Sequence, residues 1–542
     1  NNYTEKFYAT SNSTLIEGSS NGLYGITKTE DQQTYGDVLL NINKTFGEDW
    51  SLQANVGAII SDIRQDSFKN RGPIMESGIA NLFNVFQLDD TRVRREQAGW
   101  REQYQSLFAS AEIGYKGTYY LTLTGRNDWP SQLAGPQSVK SSFFYPSIGA
   151  SVVLSQLIPN MPEELSYVKL RGSWASVGMP FARFLANPIY VWDADNKVWK
   201  TETNYPFYDL KPERTDSWEV GLTMRFLKHF NLDVSYYNTK TYNQTFDPQI
   251  SVSSGYSTLY VQTGSVRNRG VELALGYSNK WGKFSWSSNF TFSANQNRIL
   301  ELVDNYRHPE TGQLITKDRL DVGGLNQAHF ILKKGGSLGD LYSIIDLKRD
   351  ANGHIYVDEN NQIYTVSDNL DDIKLGSVFP KANMAWRNDF SVGNFRFGFM
   401  VSARIGGIVY SATQAQLDYY GVSEASAAAR DAGGVRINGG SMLPAYNWYE
   451  VVGGKNIPQY YTYSATNVRL QEASIGYTIP RKKLGDVCEI TLSLVGRNLW
   501  MLYCKAPFDP ESVATTGNYY QGIDYFMMPS TRNIGFNLRL KF

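Results

Sequence analysis

The chain is short of everything that ordinarily marks an enzyme or a helical membrane protein. Two cysteines, Cys488 and Cys504, and four histidines, His229, His308, His329 and His354, occur in 542 residues. If 488–503 forms one strand, the cysteines sit at its opposite ends, about 50 Å apart at roughly 3.3 Å per residue. A disulfide needs Cα atoms within about 7 Å, so they cannot bridge. None of the histidines has metal-ligand spacing, and no GxSxG elbow or nucleophile–base set occurs, so the sequence does not read as an enzyme. Excess charge of one sign is missing too: 52 basic residues balance 52 acidic ones, which removes any electrostatic argument for nucleic acid. No apolar run approaches the roughly 18 residues of a membrane helix, and mean hydropathy is −0.37. Spanning by helices is excluded. Spanning by strands is not, because only every second residue of a barrel strand meets lipid.

What is abundant fits that remaining route. Aromatics make up 14% of the chain, with 36 Tyr and 12 Trp, and 47 Gly suit a β protein with many turns. The last ten residues, NIGFNLRLKF, put Ile534, Phe536, Leu538, Leu540 and Phe542 on one parity. Asn533, Asn537, Arg539 and Lys541 fall on the other. A strict period of two is a strand with one apolar and one wet face. The same pattern recurs at 38–46, 51–59, 106–115, 119–128, 143–154, 167–177, 217–226, 230–240, 270–277, 284–294, 382–391, 395–405, 468–479 and 489–500. A partial strand lies near 3–11. Within 217–226, Trp218, Val220, Leu222, Met224 and Phe226 alternate with polar neighbours.

Connections alternate between tight turns and long loops, the latter including about forty residues before 102, 303–380 and 413–464. Counting back from the terminal strand puts every short turn on one side, as in outer-membrane barrels, where short turns face the periplasm and long loops face outside. The expected fold is therefore all-β: an antiparallel transmembrane β-barrel of about fifteen to sixteen strands in the bacterial outer membrane, with no core apart from its lipid-facing stripe. A large soluble β-sandwich or propeller is the alternative, but it gives no strict short/long alternation.

Several stretches resemble signatures of the SusC/RagA family of TonB-dependent outer-membrane transporters. They are TGRNDWPSQL (124–133), LKPERTDSWEVGL (210–222), NRGVELAL (268–275), LGSVFPKANMAWRNDFS (375–391), NVRLQEASIGYTIP (467–480), and GRNLWMLY (496–503) with FDPES (508–512). They occur in family order over nearly the whole chain. The resemblance implies a barrel of twenty-two strands, of which this chain is the C-terminal section. The signal peptide, the periplasmic module, the plug and the TonB-contacting segment are expected outside 1–542, on a separate, cleaved or longer chain. It further implies nutrient import without covalent chemistry, a SusD-like surface lipoprotein as lid, TonB acting through the N-terminal part, and oligosaccharide cargo with oligopeptide as the rival. A dimer of such pairs is an assembly it admits. A self-contained passive porin of about sixteen strands is the other function considered. In that case the terminal strand must pair with the one near 3–11.

Aromatic side chains crowd the long loops: Tyr419 and Tyr420 beside Asp418, then Tyr446, Trp448 and Tyr449, then Tyr460, Tyr461 and Tyr463, then Tyr519, Tyr520, Tyr525 and Phe526. A flat ring stacks on the apolar face of a sugar and also holds a peptide, so Asp418, Tyr419, Tyr420, Tyr446, Trp448, Tyr449, Tyr519 and Tyr520 are candidate ligand contacts. Loop packing and a membrane-interface girdle are the alternatives. Parity places Arg126, Asp128, Arg171, Glu219, Arg225, Glu272 and Arg497 in the lumen, where a ladder of ion pairs fixing register is the preferred reading over selectivity. DANGHIYVDEN (350–360) has the first half of a calcium loop in Asp350, Asn352 and Asp358, but Asn361 stands at the twelfth position where an EF-hand has Glu. A glycine-centred hairpin is the preferred reading there, and no cofactor is expected.

Overall fold

The computed structural model describes all residues except 12–19, 137, 160, 188, 201–209, 247–260, 308–311, 313, 369–371 and 516–519. Sixteen strands form one sheet in chain order. They are β1 (Asn2–Ala9), β2 (Leu23–Phe46), β3 (Trp50–Pro73), β4 (Arg94–Tyr115), β5 (Tyr119–Pro130), β6 (Phe143–Val153), β7 (Leu165–Met179) and β8 (Glu213–Phe226). Then come β9 (Phe230–Phe246), β10 (Val261–Trp281), β11 (Phe284–Glu301), β12 (Ala382–Val392), β13 (Phe395–Ile405), β14 (Asn467–Ile479), β15 (Glu489–Cys504) and β16 (Asn533–Lys541). β1 pairs with β2 and β16 with β15, and each has that single partner among the described residues. Among the described residues, no helix is long and apolar enough to cross a membrane. Both cysteines are free, at opposite ends of the β15 stretch.

Compactness divides the chain into two units. The first comprises Asn1–Gly149, Ala175–Asp216 and Asn243–Gln262. Within it the pairing Phe46↔Trp50, Trp50↔Tyr115 and Tyr115↔Tyr119 lines four aromatic rings along the ends beside the short turns. Trp50 and Tyr115 stand 4.6 Å apart. Gly47 makes the β2–β3 turn at φ +61°, a left-handed conformation that other residues adopt at a cost. Above the girdle, Leu40, Val56, Ala58, Ala109, Leu107, Leu121 and Leu123 share one face, and Asn41, Asn55, Ser110, Thr124 and Arg126 the other. This is the alternation expected of strands with lipid on one side and water on the other.

The expected strand ends are wrong in this unit. β2 and β3 run 24 residues each and pair along their full length. The connection to β4 is therefore 74–93 rather than some forty residues. Beyond Gly36 the sequence TKTEDQQTY is polar on both parities, because both faces are wet, so it carries no period-two signal.

The second unit comprises Ala150–Trp174, Ser217–Tyr242 and Thr263–Phe542. β10–β16 keep the same alternation: Trp286, Phe290 and Phe292 face Phe390, Trp386 and Met384 across the β11–β12 ladder, while Ser285 and Ser287 face Ser391 and Asp389. The expectation of no other core fails here. The long loops fold into a module with its own buried centre, including Phe330, Leu341, Tyr410, Ala415, Trp448, Val452, Tyr461 and Ile523. It holds a four-stranded sheet (Arg319–Leu325, Ala328–Lys333, Asp340–Ser343, Ile373–Ser377) and a three-stranded one (Ile408–Ser411, Thr462–Ser464, Ile523–Asp524). Three helices complete it: α1 (Ala412–Tyr419), α2 (Glu424–Asp431) and α3 (Ala445–Val452). Ser411 and Ser423 cap α1 and α2 by accepting from the backbone N–H of Gln414 and Ser426. The consecutive run Phe330–Leu332 is wholly buried, a pattern of core strands rather than of solvated loops.

Candidate functional site

The loop module sorts the aromatic residues into two sets. Trp448 is buried in the middle of α3 and meets Tyr460 edge-on at 5.2 Å. Tyr461 is buried as well. Burial, then the charge of Asp418, pushes its hydroxyl far above the usual phenol range, and the same causes raise Tyr463 to about 12. Tyr449 is half-buried and shifted the same way. These rings are packing. The other set faces out: Tyr420 is 71% exposed, Tyr446 73% and Phe526 59%, with Tyr419, Tyr520 and Tyr525 also open. Tyr419 and Tyr420 meet edge-on at 5.0 Å, as do Tyr525 and Phe526 at 5.2 Å. Phe526 is tethered by its backbone N–H donating to Thr413 Oγ1 at 2.6 Å, which seats the 520s segment beside α1. Tyr519 lies outside the described residues, as does His308.

Asp418 does not stand with the open rings. Its carboxylate points inward, accepting from Gln414 Nε2 at 2.9 Å and from the Ser423 hydroxyl, and so ties α1 to the start of α2. A buried carboxylate satisfied in this way positions Tyr419 and Tyr420 rather than reaching out itself. Open aromatic surface that the sequence reading passed over lies in the first unit. Trp192 and Trp199 face each other at 5.4 Å across a short hairpin, with Tyr190 and Trp199 exposed. The signal was available in the Asp-Ala-Asp-Asn turn between two β-branched–Trp pairs.

Asp350 and Asp358 are both used within tandem turns. Asp350 Oδ1 accepts from the N–H of Asn352 and His354, and Asp358 Oδ1 from those of Asn360 and Gln362. Tyr364 adds a third bond to Asp358 at 2.7 Å. Asn352 closes the first turn. Among the described residues, no group of three or more His, Cys, Asp and Glu is placed to hold a metal ion.

The polar residues assigned to the lumen by parity form separate clusters. Arg126 bonds Asp128 at 2.7 Å and Ser106 at 2.8 Å, and Tyr145 donates to the other Asp128 oxygen. Arg171 grips Asp233 with two bonds of 2.9 Å and lies 3.5 Å from Glu219. Arg225 sits over the Tyr167 ring. Arg497 and Arg387 share Glu472 at 3.1 and 3.4 Å. Glu272 lines a polar recess of about 430 Å³ with Tyr237, Asn295, Asn297 and Asn383. Most pairs cross strands, the geometry of register-fixing contacts.

Two signature stretches of the sequence meet at the outer end of β14. Arg469 bonds Asp509 at 2.8 and 3.1 Å and lies 3.2 Å from Glu511, tying NVRLQ to FDPES. A family model for the β-barrel of TonB dependent receptor-like proteins matches residues 1–499. The chain belongs to that family. As a TonB-dependent receptor barrel it is an outer-membrane protein, and the family is one of transporters and receptors rather than an enzyme class.

TonB-dependent receptor P3 of Formosa agariphila is 23% identical over 94% of this chain and 52% of its own length. TonB-dependent receptor P26 of the same organism is 25% identical over 92% and 52%. The chain thus spans about half the length of the curated relatives it matches. Its fold is similar to a chain of the RagAB peptide transporter, with a TM-score of 0.75 at 15% identity, covering 100% of this chain and 59% of that one. The RagAB importer in its open-open state matches with the same TM-score at 16% identity, covering 100% and 58%.

Proposed function

We propose that this TonB-dependent receptor barrel imports oligosaccharides as part of a SusC-like transporter. In that assembly a SusD-like surface lipoprotein seats on the loop module, and TonB acts through a plug in the part of the protein these residues do not span. The observation that carries the reading is the loop module itself. A folded core buries one set of aromatics and holds Tyr420, Tyr446, Tyr525 and Phe526 open. Loops without such a core would lose these rings' positions to conformational entropy; a core that fixes them suits capture by stacking. The single partner of β1 and of β16 supports a section of a larger barrel over a self-contained porin. Oligopeptide cargo is the second reading, favoured by the fold likeness to the RagAB peptide transporter.

The test is calorimetric titration of the full-length protein with its lipoprotein against matched panels of neutral oligosaccharides and oligopeptides. Saccharide binding that falls about tenfold in a Tyr420→Ala/Tyr446→Ala variant supports the reading. Binding of peptides alone replaces it with the second. Binding of neither, by protein that retains heat-modifiable migration, refutes capture at these loops.

A further inference from the structure

Lumenal cations of the second unit are spent on neighbouring carboxylates: Arg171 on Asp233, Arg387 on Asp389, Arg497 on Glu472. One group of polar side chains is not spent. Glu272, Ser293 and Asn383 stand directly opposite one another in a row across β10, β11 and β12. Opposed side chains lie about 5 Å apart at Cβ, so three strands bring a carboxylate, a hydroxyl and an amide into one short span. Lys381, just before β12, lines the same recess of about 430 Å³. Among the described residues, none of these four side chains makes a hydrogen bond or an ion pair. A second recess of about 460 Å³ starts from the same row and runs past Arg171, Glu219 and Asp233. Both volumes fall in the roughly 300–1,000 Å³ of specific ligand sites.

The first recess has fixed walls. The Tyr237 ring lies across Gly270, where a Cβ would come within 2.7 Å of the ring, and its hydroxyl donates to Asn295 at 3.2 Å. Further out along β11, Asn297 Oδ1 accepts from the Leu338 N–H at 2.8 Å and the Ser337 hydroxyl at 3.1 Å, which straps the loop module down as a roof. The charged side chains lining the two recesses are Glu272, Glu219, Asp233, Arg171 and Lys381. Arg404, opposite Asn383 on β13, is the next cation in the row and donates to the Val378 carbonyl at 2.8 Å. In the roof, Asp340 and Lys374 are bonded to each other. Three carboxylates thus meet three cations below the roof, and no net charge is left to hold an acidic or a basic ligand. What stays open is hydrogen bonding: a carboxylate that only accepts, an ammonium that only donates, and a hydroxyl and an amide that do both. Vicinal hydroxyls match that set, with an aromatic ring beside it for an apolar sugar face. A peptide backbone is matched by a free strand edge, and β10, β11 and β12 are paired on both sides.

We propose that this recess is a saccharide subsite beneath the capture loops. It takes a neutral pyranose unit, with Glu272 accepting from adjacent hydroxyls and Lys381 and Asn383 donating to sugar oxygens. The inference rests on the oligosaccharide reading above and adds a selectivity to it. Glu272 repels a sugar carboxylate, so the subsite prefers neutral over acidic units.

Protection of an introduced thiol reads occupancy of the recess. In the full-length protein with its lipoprotein, every native cysteine is replaced by serine, Cys488 and Cys504 among them. Ser293→Cys then supplies one thiol, and its rate of alkylation by iodoacetamide is followed. A neutral oligosaccharide at about ten times its Kd should slow that rate roughly tenfold. Adding Glu272→Gln should raise the concentration needed by about tenfold. A uronate-bearing oligosaccharide of the same length should protect about tenfold less well than the neutral one. Glu272→Gln should narrow that gap, a change of preference that misfolding cannot produce. Alkylation unmoved by a neutral oligosaccharide that calorimetry shows bound overturns the subsite and leaves the importer reading standing; a saccharide that binds nowhere overturns both. A thiol that iodoacetamide never reaches puts the plug in the recess in place of sugar and overturns the proposal. So does protection by oligopeptides alone, or protection that Glu272→Gln does not move.

Discussion

Replacing Arg469 by methionine should release the loop that follows β15 while leaving the sheet intact. Arg469 keeps only 5% of its side-chain surface and Asp509 9%, so this is a buried ion pair and not a surface one. The guanidinium also donates to Asn467 at 3.2 Å and Asn498 at 3.3 Å and lies 3.2 Å from Glu511, so with Asp509 four polar groups converge on one cation. Burial alone would raise the Asp509 carboxyl, but the Arg469 bond holds it below the ordinary range. Removing one member of such a pair leaves an uncompensated buried charge, at a cost of about 3–5 kcal/mol. Spread over a loop that can open locally, this corresponds to a rise in the open population of roughly two to four powers of ten.

Amide hydrogen exchange over 505–512 reads that opening directly, with β2–β3 as the internal control. Arg469→Met should lose protection in the loop by about a hundredfold or more. Adding Asp509→Leu should restore part of it, because replacing both partners is far less costly than orphaning one. Unchanged protection in the single variant, or a double variant that loses the sum of the two singles, refutes the assignment of Arg469 as the clamp.

Three further outcomes follow from named contacts. Asp372 lies 2.6 Å from Arg319 and 2.9 Å from Lys333, and chiefly the Arg319 bond lowers its carboxyl to about 2. The stability it adds to the loop module is complete above the unfolded value of about 3.9 and is lost as pH falls toward the folded one. An acid titration of loop protease resistance should therefore show roughly 1–2 kcal/mol lost in that window, and Asp372→Asn should remove the dependence. Leu123→Arg on the lipid-facing parity of β5 should destabilise the refolded protein by about 2–4 kcal/mol in bilayer unfolding assays, while the neighbouring Thr122→Arg stays within about 1 kcal/mol. Phe330→Ala, in the buried centre of the loop module, should cost about 3–5 kcal/mol of module stability and be seen first as protease cleavage within 319–377.

The sheet was legible where one face meets lipid, because there the chain must alternate. Tight turns at 116–118 and 227–229 fall where the sequence puts them. The rule is silent where both faces are wet, which is why the outer halves of β2, β3 and β4 went unread. It also misreads the long loops, whose core residues come from segments far apart in sequence. Tyr410 pairs with Ile523 and Ser411 bonds Asp524 across 113 residues, contacts no local pattern announces. Helix α1 did carry a local mark, Ser411 with Gln414 three residues on, the spacing of a capping box. Among the candidate site residues, composition singled out the aromatics only as a group. It could not separate Trp448, which faces inward from α3, from Tyr446 two residues earlier, which is open.

Uptake in living cells tests the central claim most directly. Cells lacking this protein are complemented with the full-length gene, and entry of a labelled oligosaccharide into the periplasm is followed with and without proton-motive force. The account predicts uptake that requires both this protein and the energised membrane, and that drops in the Tyr420→Ala/Tyr446→Ala variant while the protein remains in the outer membrane. Uptake that persists after the force is collapsed, and that is indifferent to the loop tyrosines, would contradict it and leave a passive pore in its place.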